Sequence, residues 1–267
     1  LSPPETAQPL TRTRIRLIIG GLLLGLFLSA VDGTIVSTAL PTIVGELGGL
    51  DQLTWVVTAY FVTSTIATLL VGKLSDIYGR RPLFLGSVVV FLLASALAGL
   101  SPSMTQLVAF RALQGIGGGA IQALAFIILG DILSPRERGR YMGLFTGTFA
   151  LSGLVGPLLG GLVVDAGSLG WRWIFYLNLP IGAVALVVVS LVLRLPTRRQ
   201  EVDIDWLGAA WLTIGAGALL VAASIGGERV AWSSPGLLLL AAVGVGASVL
   251  FVLWELRASN PILPLRL

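Results

Sequence analysis

An all-α membrane protein is the fold class this sequence predicts, on three observations: its overall apolarity, its repeated long apolar stretches, and basic residues gathered at alternate ends of those stretches. Of 267 residues, 55% are hydrophobic and only 11% charged, where a soluble domain carries about 25% charged residues; the mean hydropathy is +0.95. A helix needs about 20 apolar residues to cross a hydrocarbon core of about 30 Å, and eight stretches reach that length: 16–40, 53–72, 83–101, 105–130, 141–164, 173–193, 206–226 and 235–255. Each is too long for a signal-peptide core, and the first is followed by the others, so none reads as a cleaved address.

The third observation orients the spans. A formal charge of +4 and an isoelectric point near 10.1 would suit a nucleic-acid binder, but the basic residues are distributed as a membrane requires. Arg12, Arg14 and Arg16 precede the first span; Lys73, Arg80 and Arg81 follow the second; Arg136, Arg138 and Arg140 follow the fourth. Arg194, Arg198 and Arg199 follow the sixth, and Arg257 and Arg266 the eighth. Only Arg172 and Arg229 fall on the other side, with Arg111 inside a span. The positive-inside rule assigns the crowded side to the cytoplasm, so both ends of the chain are expected there, in a plasma (inner) membrane, with the lipid bilayer and not nucleic acid as partner.

The expected organisation is a cytoplasmic tail, 1–15, a six-span bundle, 16–194, a charged and proline-broken cytoplasmic linker, 195–205, and a two-span hairpin, 206–256. A cytoplasmic segment, 257–267, should lead into a ninth span and a second six-helix bundle that the chain lacks. With no cysteine and no histidine, neither a disulfide framework, a zinc site nor an imidazole relay is available, and no cofactor is expected. An ATP-driven pump needs a phosphate-binding loop, and Gly72-Lys73 lacks the upstream glycine at that spacing. A membrane enzyme needs a nucleophile and a base, and no Gly-x-Ser-x-Gly elbow is present. A scaffold would need no intramembrane charge.

In the first span, AVDGTIVSTALP (Ala30 to Pro41) sets Asp32 in apolar surroundings. At about 1.5 Å per residue, Asp32 lies roughly 24 Å from the cytoplasmic end. Arg111, in LVAFRALQGIGGGA of the fourth span, lies roughly 20 Å from it by the same count. A carboxylate and a guanidinium at one depth are expected partners, since each alone is costly in a membrane. Burial disfavours the ionised carboxylate and a nearby guanidinium favours it, so such a carboxyl can load and release a proton; a permanently paired structural charge is the alternative.

The loop GKLSDIYGRRP (Gly72 to Pro82) concentrates Lys73, Asp76, Arg80 and Arg81 within a glycine frame. Gly72 and Gly79 allow close approach and a tight turn, Pro82 opens the third helix, and Asp76 can accept from Arg80 or from helix amides. In the fifth span, SGLVGPLLGG (Ser152 to Gly161) removes a backbone donor at Pro157 and side-chain bulk at Gly156, Gly160 and Gly161, which predicts a kinked, closely packed seam. The tryptophans of WRWIFYLNLPIG (Trp171 to Gly182) read as interfacial anchors.

The loop of Gly72, Asp76, Gly79, Arg80 and Arg81 resembles the signature between spans two and three of the major facilitator superfamily, with Ile77 where the family often has arginine. Arg111, Gln114 and Gly115 follow the order of the family's span-four motif. Ser152 to Gly161 resembles the seam that marks its antiporters, with Ser152 for a usual glycine. The first span, with Ser37 where asparagine is common, and the start of the sixth resemble the 14-span drug:proton antiporters. The resemblance covers Arg16 to Leu267 and implies a major facilitator fold: an N-terminal six-helix bundle plus an additional two-helix hairpin. It further implies a monomer exporting amphipathic, cationic drugs in exchange for protons by alternating access. Asp32 and Arg111 would couple the proton, and the span-two loop would latch the cytoplasmic side. An importer of a nutrient, or an exporter of a lipid or peptide, is the alternative within the family.

Overall fold

The computed structural model describes residues 11–166, 170–193, 205–227, 229–258 and 262. Within them the chain forms α1 Arg12–Leu47, a single 3-10 turn Leu50–Gln52, α2 Leu53–Tyr78, α3 Arg80–Gly99, α4 Met104–Ile132, α5 Pro135–Asp165, α6 Trp173–Tyr176, α7 Asn178–Val192, α8 Trp206–Ile225 and α9 Pro235–Glu255. Among the described residues, 8 helical segments are long and apolar enough to cross a membrane, α6 and α7 together making one that is interrupted at Leu177. Every predicted stretch is a helix. The linker 195–205 except Asp205, the first ten residues of the tail, Arg194, Arg198, Arg199 and Arg266 lie outside the described residues.

Three helices, α1, α2 and α5, run six or more residues beyond their apolar stretches, α2 reaching Tyr78. α1 begins at Arg12 and continues through Pro41 to Leu47, so part of the expected tail is helical. Its start is set by Thr11, whose Oγ1 accepts from Arg14 N at 3.4 Å. α5 passes unbroken through Pro157. Inside a bundle such prolines are tolerated because neighbouring groups can satisfy the carbonyl that loses its donor.

Caps stop and start the others. Ser103 Oγ accepts from Gln106 N at 3.4 Å to open α4, and Ser234 Oγ accepts from Leu237 N at 3.3 Å to open α9. Asp205 accepts from Gly208 N at 2.8 Å to open α8. Glu137 Oε2 accepts from Ser134 N at 3.3 Å at the head of α5, with Pro135 in the first turn. Between α2 and α3 the chain reverses at one residue, Gly79, with φ of 92°, a backbone conformation open to glycine and costly for others.

α4 is the central element, packed on α2, α3 and α1, while α1 also packs on α5 and α7. The approach of α4 to α2 depends on glycine: a Cβ at Gly115 would strike Thr63 and the Tyr60 carbonyl, and one at Gly119 the backbone of Ser64. α8 and α9 pair with each other, and α8 leans on α2. An apolar cavity of about 410 Å³ lies among α2, α3, α4 and α8, lined in part by Ile66, Leu70, Leu83 and Ile116, with no charged residue in its lining.

Most of the buried apolar residues of α1–α7 fall into two clusters stacked along the bundle. One, toward the basic end, contains Leu22, Leu26, Phe84, Phe91, Ile121 and Phe145. The other, toward the opposite end, contains Ile35, Ala39, Val56, Leu107, Trp171 and Phe175. Between them the same helices carry the buried polar residues Ser29, Asp32, Ser95, Arg111, Gln114 and Asn178.

Candidate functional site

This polar layer is built from α1, α2, α3, α4 and α7. Asp32 (α1) is 0% exposed, Arg111 (α4) 1% and Gln114 (α4) 0%. The i,i+3 spacing of Arg111 and Gln114 sets both on one face of α4. Arg111 Nη1 donates to Asp32 Oδ2 in a direct ion pair. The same nitrogen donates to Gln114 Oε1 at 2.8 Å, and Arg111 Nε donates to the Val56 carbonyl at 3.3 Å. The guanidinium carbon stands 4.2 Å from the centre of the Tyr60 ring, a cation–π contact strengthened by desolvation.

The other carboxylate oxygen, Asp32 Oδ1, accepts from Gln114 Nε2 at 2.9 Å and from Asn178 Nδ2 at 2.8 Å. Asn178 opens α7 directly after the Leu177 interruption, and its Nδ2 also donates to Ser95 Oγ of α3 at 2.9 Å. Tyr60 donates through its hydroxyl to the Ser29 carbonyl at 3.1 Å. The carboxylate and the guanidinium thus offset each other, and both carboxylate oxygens have donors. Neutral groups tie the pair to α2, to α7 and, through Asn178, to α3. Such closure is what a buried pair requires, because the desolvation cost of two charges is recovered only with good geometry and satisfied hydrogen bonds.

The other predicted residues form two separate structures. On the seam, Gly156 and Gly160 face α1: a Cβ at Gly156 would lie 2.8 Å from Thr34 Cβ, and one at Gly160 would lie 3.0 Å from Thr38 Cβ. Thr34 Oγ1 crosses the seam to donate to the Ser152 carbonyl at 3.1 Å, while Ser152 Oγ turns back to Thr148 O at 2.8 Å. Gly161 meets nothing within 4 Å and takes no part in the close approach.

At the basic end Arg80 pairs with Asp76 at 2.7 Å and with Asp131 of α4 at 3.0 Å, and it also donates to Ser75 Oγ. Gly72 presents its carbonyl to Ser75 Oγ at 2.7 Å, and Arg81 Nη2 donates to the Ser190 carbonyl of α7 at 2.6 Å. In this chain the loop therefore ties the α2–α3 turn to α4 and α7 of the same bundle.

The tryptophans correct an expectation. Trp173 is 46% exposed, as an interfacial anchor should be, but Trp171 is 0% exposed. Its Nε1 donates to Glu46 Oε2 at 2.7 Å. Glu46 also pairs with Arg172, whose guanidinium carbon lies 4.4 Å from the Trp171 ring centre. This clamp joins the end of α1 to the start of the sixth span. Its tryptophan is inward because the indole N–H has a carboxylate to meet there.

Asn178, Ser95, Tyr60 and Asp131 were not singled out from the sequence. A polar residue inside an apolar span is itself a signal, and Asn178, two residues before Pro180, carries it. Ser95 carries none, since a serine that bonds its own helix would look the same.

The family model described as Major Facilitator Superfamily matches residues 22–256. Multidrug transporter protein MdtP of Bacillus subtilis is 42% identical over 251 residues, covering 94% of this chain and 46% of that protein. Multidrug resistance protein 3 of the same organism is 40% identical over 248 residues, covering 93% of this chain and 48% of that protein. The chain spans about half the length of the curated relatives it matches. Among solved structures, the fold is like that of the human organic anion transporter TETRAN, with TM-score 0.63, 21% identity and coverage of 92% of this chain and 67% of that one. It is also like a bacterial homolog of the human lysosomal transporter Spinster in an inward-facing, unoccupied conformation, with TM-score 0.59, 17% identity and coverage of 93% of this chain and 64% of that one. From the match across nearly all its spans, the chain is a multi-pass membrane protein and belongs to the Major Facilitator Superfamily.

Proposed function

We propose that the protein is a carrier, not an enzyme, that exports amphipathic, cationic compounds in exchange for protons by alternating access. In this reading it sits as a monomer in the plasma (inner) membrane with the basic end in the cytoplasm. The observation that carries the reading is Asp32 buried against Arg111 in a membrane bundle whose relatives bear the names of multidrug transporters. An intramembrane carboxylate is costly and is by default a functional group. Here its protonation would remove the charge that Arg111 holds, and so loosen the layer that joins α1 to α4.

The carboxylate is sealed in this conformation, with 0% exposure. Proton exchange therefore needs a second conformation in which water reaches Asp32, as alternating access supplies. The drug's positive charge is not assigned to Asp32, because every donor around that carboxylate belongs to the protein. The seam of α5 on α1 and the Arg80 cluster are the elements that would move or hold as the carrier changes state.

The test is transport by the whole protein in liposomes loaded with ethidium, a flat cationic dye. Efflux should follow an imposed proton gradient, with proton movement in the opposite direction, and should stop when a protonophore collapses the gradient. Dye efflux indifferent to the gradient overturns proton coupling, and absence of dye transport overturns the substrate class.

A further inference from the structure

The two carboxamides that hold Asp32 are not equivalent. Gln114 is fixed at both ends, its Nε2 donating to Asp32 Oδ1 at 2.9 Å while its Oε1 accepts from Arg111 at 2.8 Å. Turned over, it would set a donor against the guanidinium and an oxygen against the carboxylate. Asn178 makes both of its bonds in the layer through one atom, Nδ2, to Asp32 Oδ1 at 2.8 Å and to Ser95 Oγ at 2.9 Å. Ser95 in turn donates to the Phe175 carbonyl at 2.8 Å. Phe175 belongs to α6, on the far side of the Leu177 interruption from Asn178. A carboxamide has a donor end and an acceptor end of nearly the same shape, and a hydroxyl rotates to suit its neighbours.

We infer that Asn178 is a positioning residue that holds Asp32 in both of its protonation states and passes the change, through Ser95, to the interruption in the sixth span. With Asp32 ionised, the layer is as described. When the carboxylate takes a proton from water onto Oδ1, a donor on Oδ1 would face a donor on Asn178. A half-turn of the Asn178 carboxamide brings its own oxygen to that place, where it accepts from the Asp32 hydroxyl and from Ser95. The Ser95 hydroxyl then swings away from the Phe175 carbonyl, and the tie between α3 and α6 is released. One O–H bond forms on Asp32, and the proton's return to water breaks it; no other covalent bond changes.

The charged and titratable groups facing Asp32 are Arg111 from α4 and Tyr60 from α2, the phenol already donating to the Ser29 carbonyl. From α3 and α7 come the neutral Ser95 and Asn178, and α5 meets α1 beside this layer through Ser152 and Thr34, also neutral. The proton's arrival is therefore answered by Asn178 and not by a second acid. A residue that only braces α7 against α1 would give the same static contacts but would have no bond to the protonated carboxyl.

This inference rests on the reading that Asp32 exchanges a proton, and one experiment separates the two. Infrared difference spectra of the purified full-length protein in lipid are recorded across about pH 5 to 9. The Asp32 carboxyl C=O stretch is the protonation-dependent band that Asp32→Asn removes. In Asn178→Leu, which keeps volume but not the carboxamide, the band is expected at higher frequency, because a carboxyl without its acceptor has a stiffer C=O bond. Should that variant fail to insert, Ser95→Ala serves: it removes the hydroxyl that supports the turned carboxamide, and a smaller shift in the same direction is expected. A band present but unmoved in the variant that folds overturns the inference and leaves the proton role of Asp32 standing. Absence of any Asp32-dependent band overturns the proton role and this inference with it.

Discussion

Asp32 and Arg111 stand 79 residues apart in the chain and side by side in the fold, Nη1 of the guanidinium donating to Oδ2 of the carboxylate with neither side chain reaching solvent. The two are unequally dependent on each other. Arg111 without Asp32 keeps Gln114 Oε1, the Val56 carbonyl and the face of Tyr60. Asp32 without Arg111 keeps two carboxamides and no positive charge.

This asymmetry gives the first prediction. Asp32→Asn should insert and bind drug, because asparagine still offers Arg111 an oxygen, but drug binding by the whole protein should lose its pH dependence across about pH 5 to 9, and gradient-driven export should stop. Binding to purified wild type and variant across that range is the measurement, and retained pH dependence would place the proton site elsewhere.

Arg111→Met should instead lose folded protein. Removing one member of a buried pair costs about 3–5 kcal/mol because the other charge is left unmatched. The amount of monodisperse protein recovered from membranes should fall well below that of Asp32→Asn, and adding Asp32→Asn to Arg111→Met should restore part of it.

The seam separates glycines that look alike in the sequence. At Gly156 an alanine Cβ would displace Thr34, whose hydroxyl bridges to Ser152, so Gly156→Ala should lower stability by about 1–3 kcal/mol, the usual cost of overpacking. Gly161→Ala, with nothing within 4 Å, should be neutral or slightly stabilising. Thermal denaturation of the two purified variants in one detergent makes the comparison.

At the basic end, Asp76→Asn leaves Arg80 its partner Asp131. Normal insertion with impaired export is expected, from a shifted balance between the two access states, and Asp76→Asn with Asp131→Asn should impair export further. Wild-type rates in both would reduce the cluster to a solvated turn.

Sidedness can be checked without removing native thiols, since the chain has no cysteine. A cysteine at the exposed Ser233, between α8 and α9, should react with an impermeant reagent added to whole cells, and one at Ser134, at the head of α5, should not. The reverse pattern would invert the orientation read from the basic residues.

The sequence by itself determined the number and approximate positions of the spans, the grouping of basic residues at one end, and the two costly charges, Asp32 and Arg111, at one depth. These properties are local or additive along the chain: about 20 apolar residues cross a membrane whatever their neighbours, and counting along a helix gives depth. What only the tertiary structure decided is which way each helix faces. Lipid is as apolar as the bundle interior, so hydropathy does not separate an inward from an outward face as it does in water. Nothing in WRWIFYLNLPIG tells that Trp171 turns in toward Glu46 while Trp173 turns out. Nor does it tell that Asn178 reaches Asp32 on a helix 146 residues away. Those contacts depend on the rotation of α1, α3 and the sixth span about their own axes, which is set when Gly115, Gly119, Gly156 and Gly160 let neighbouring backbones close up and the buried polar groups find their partners.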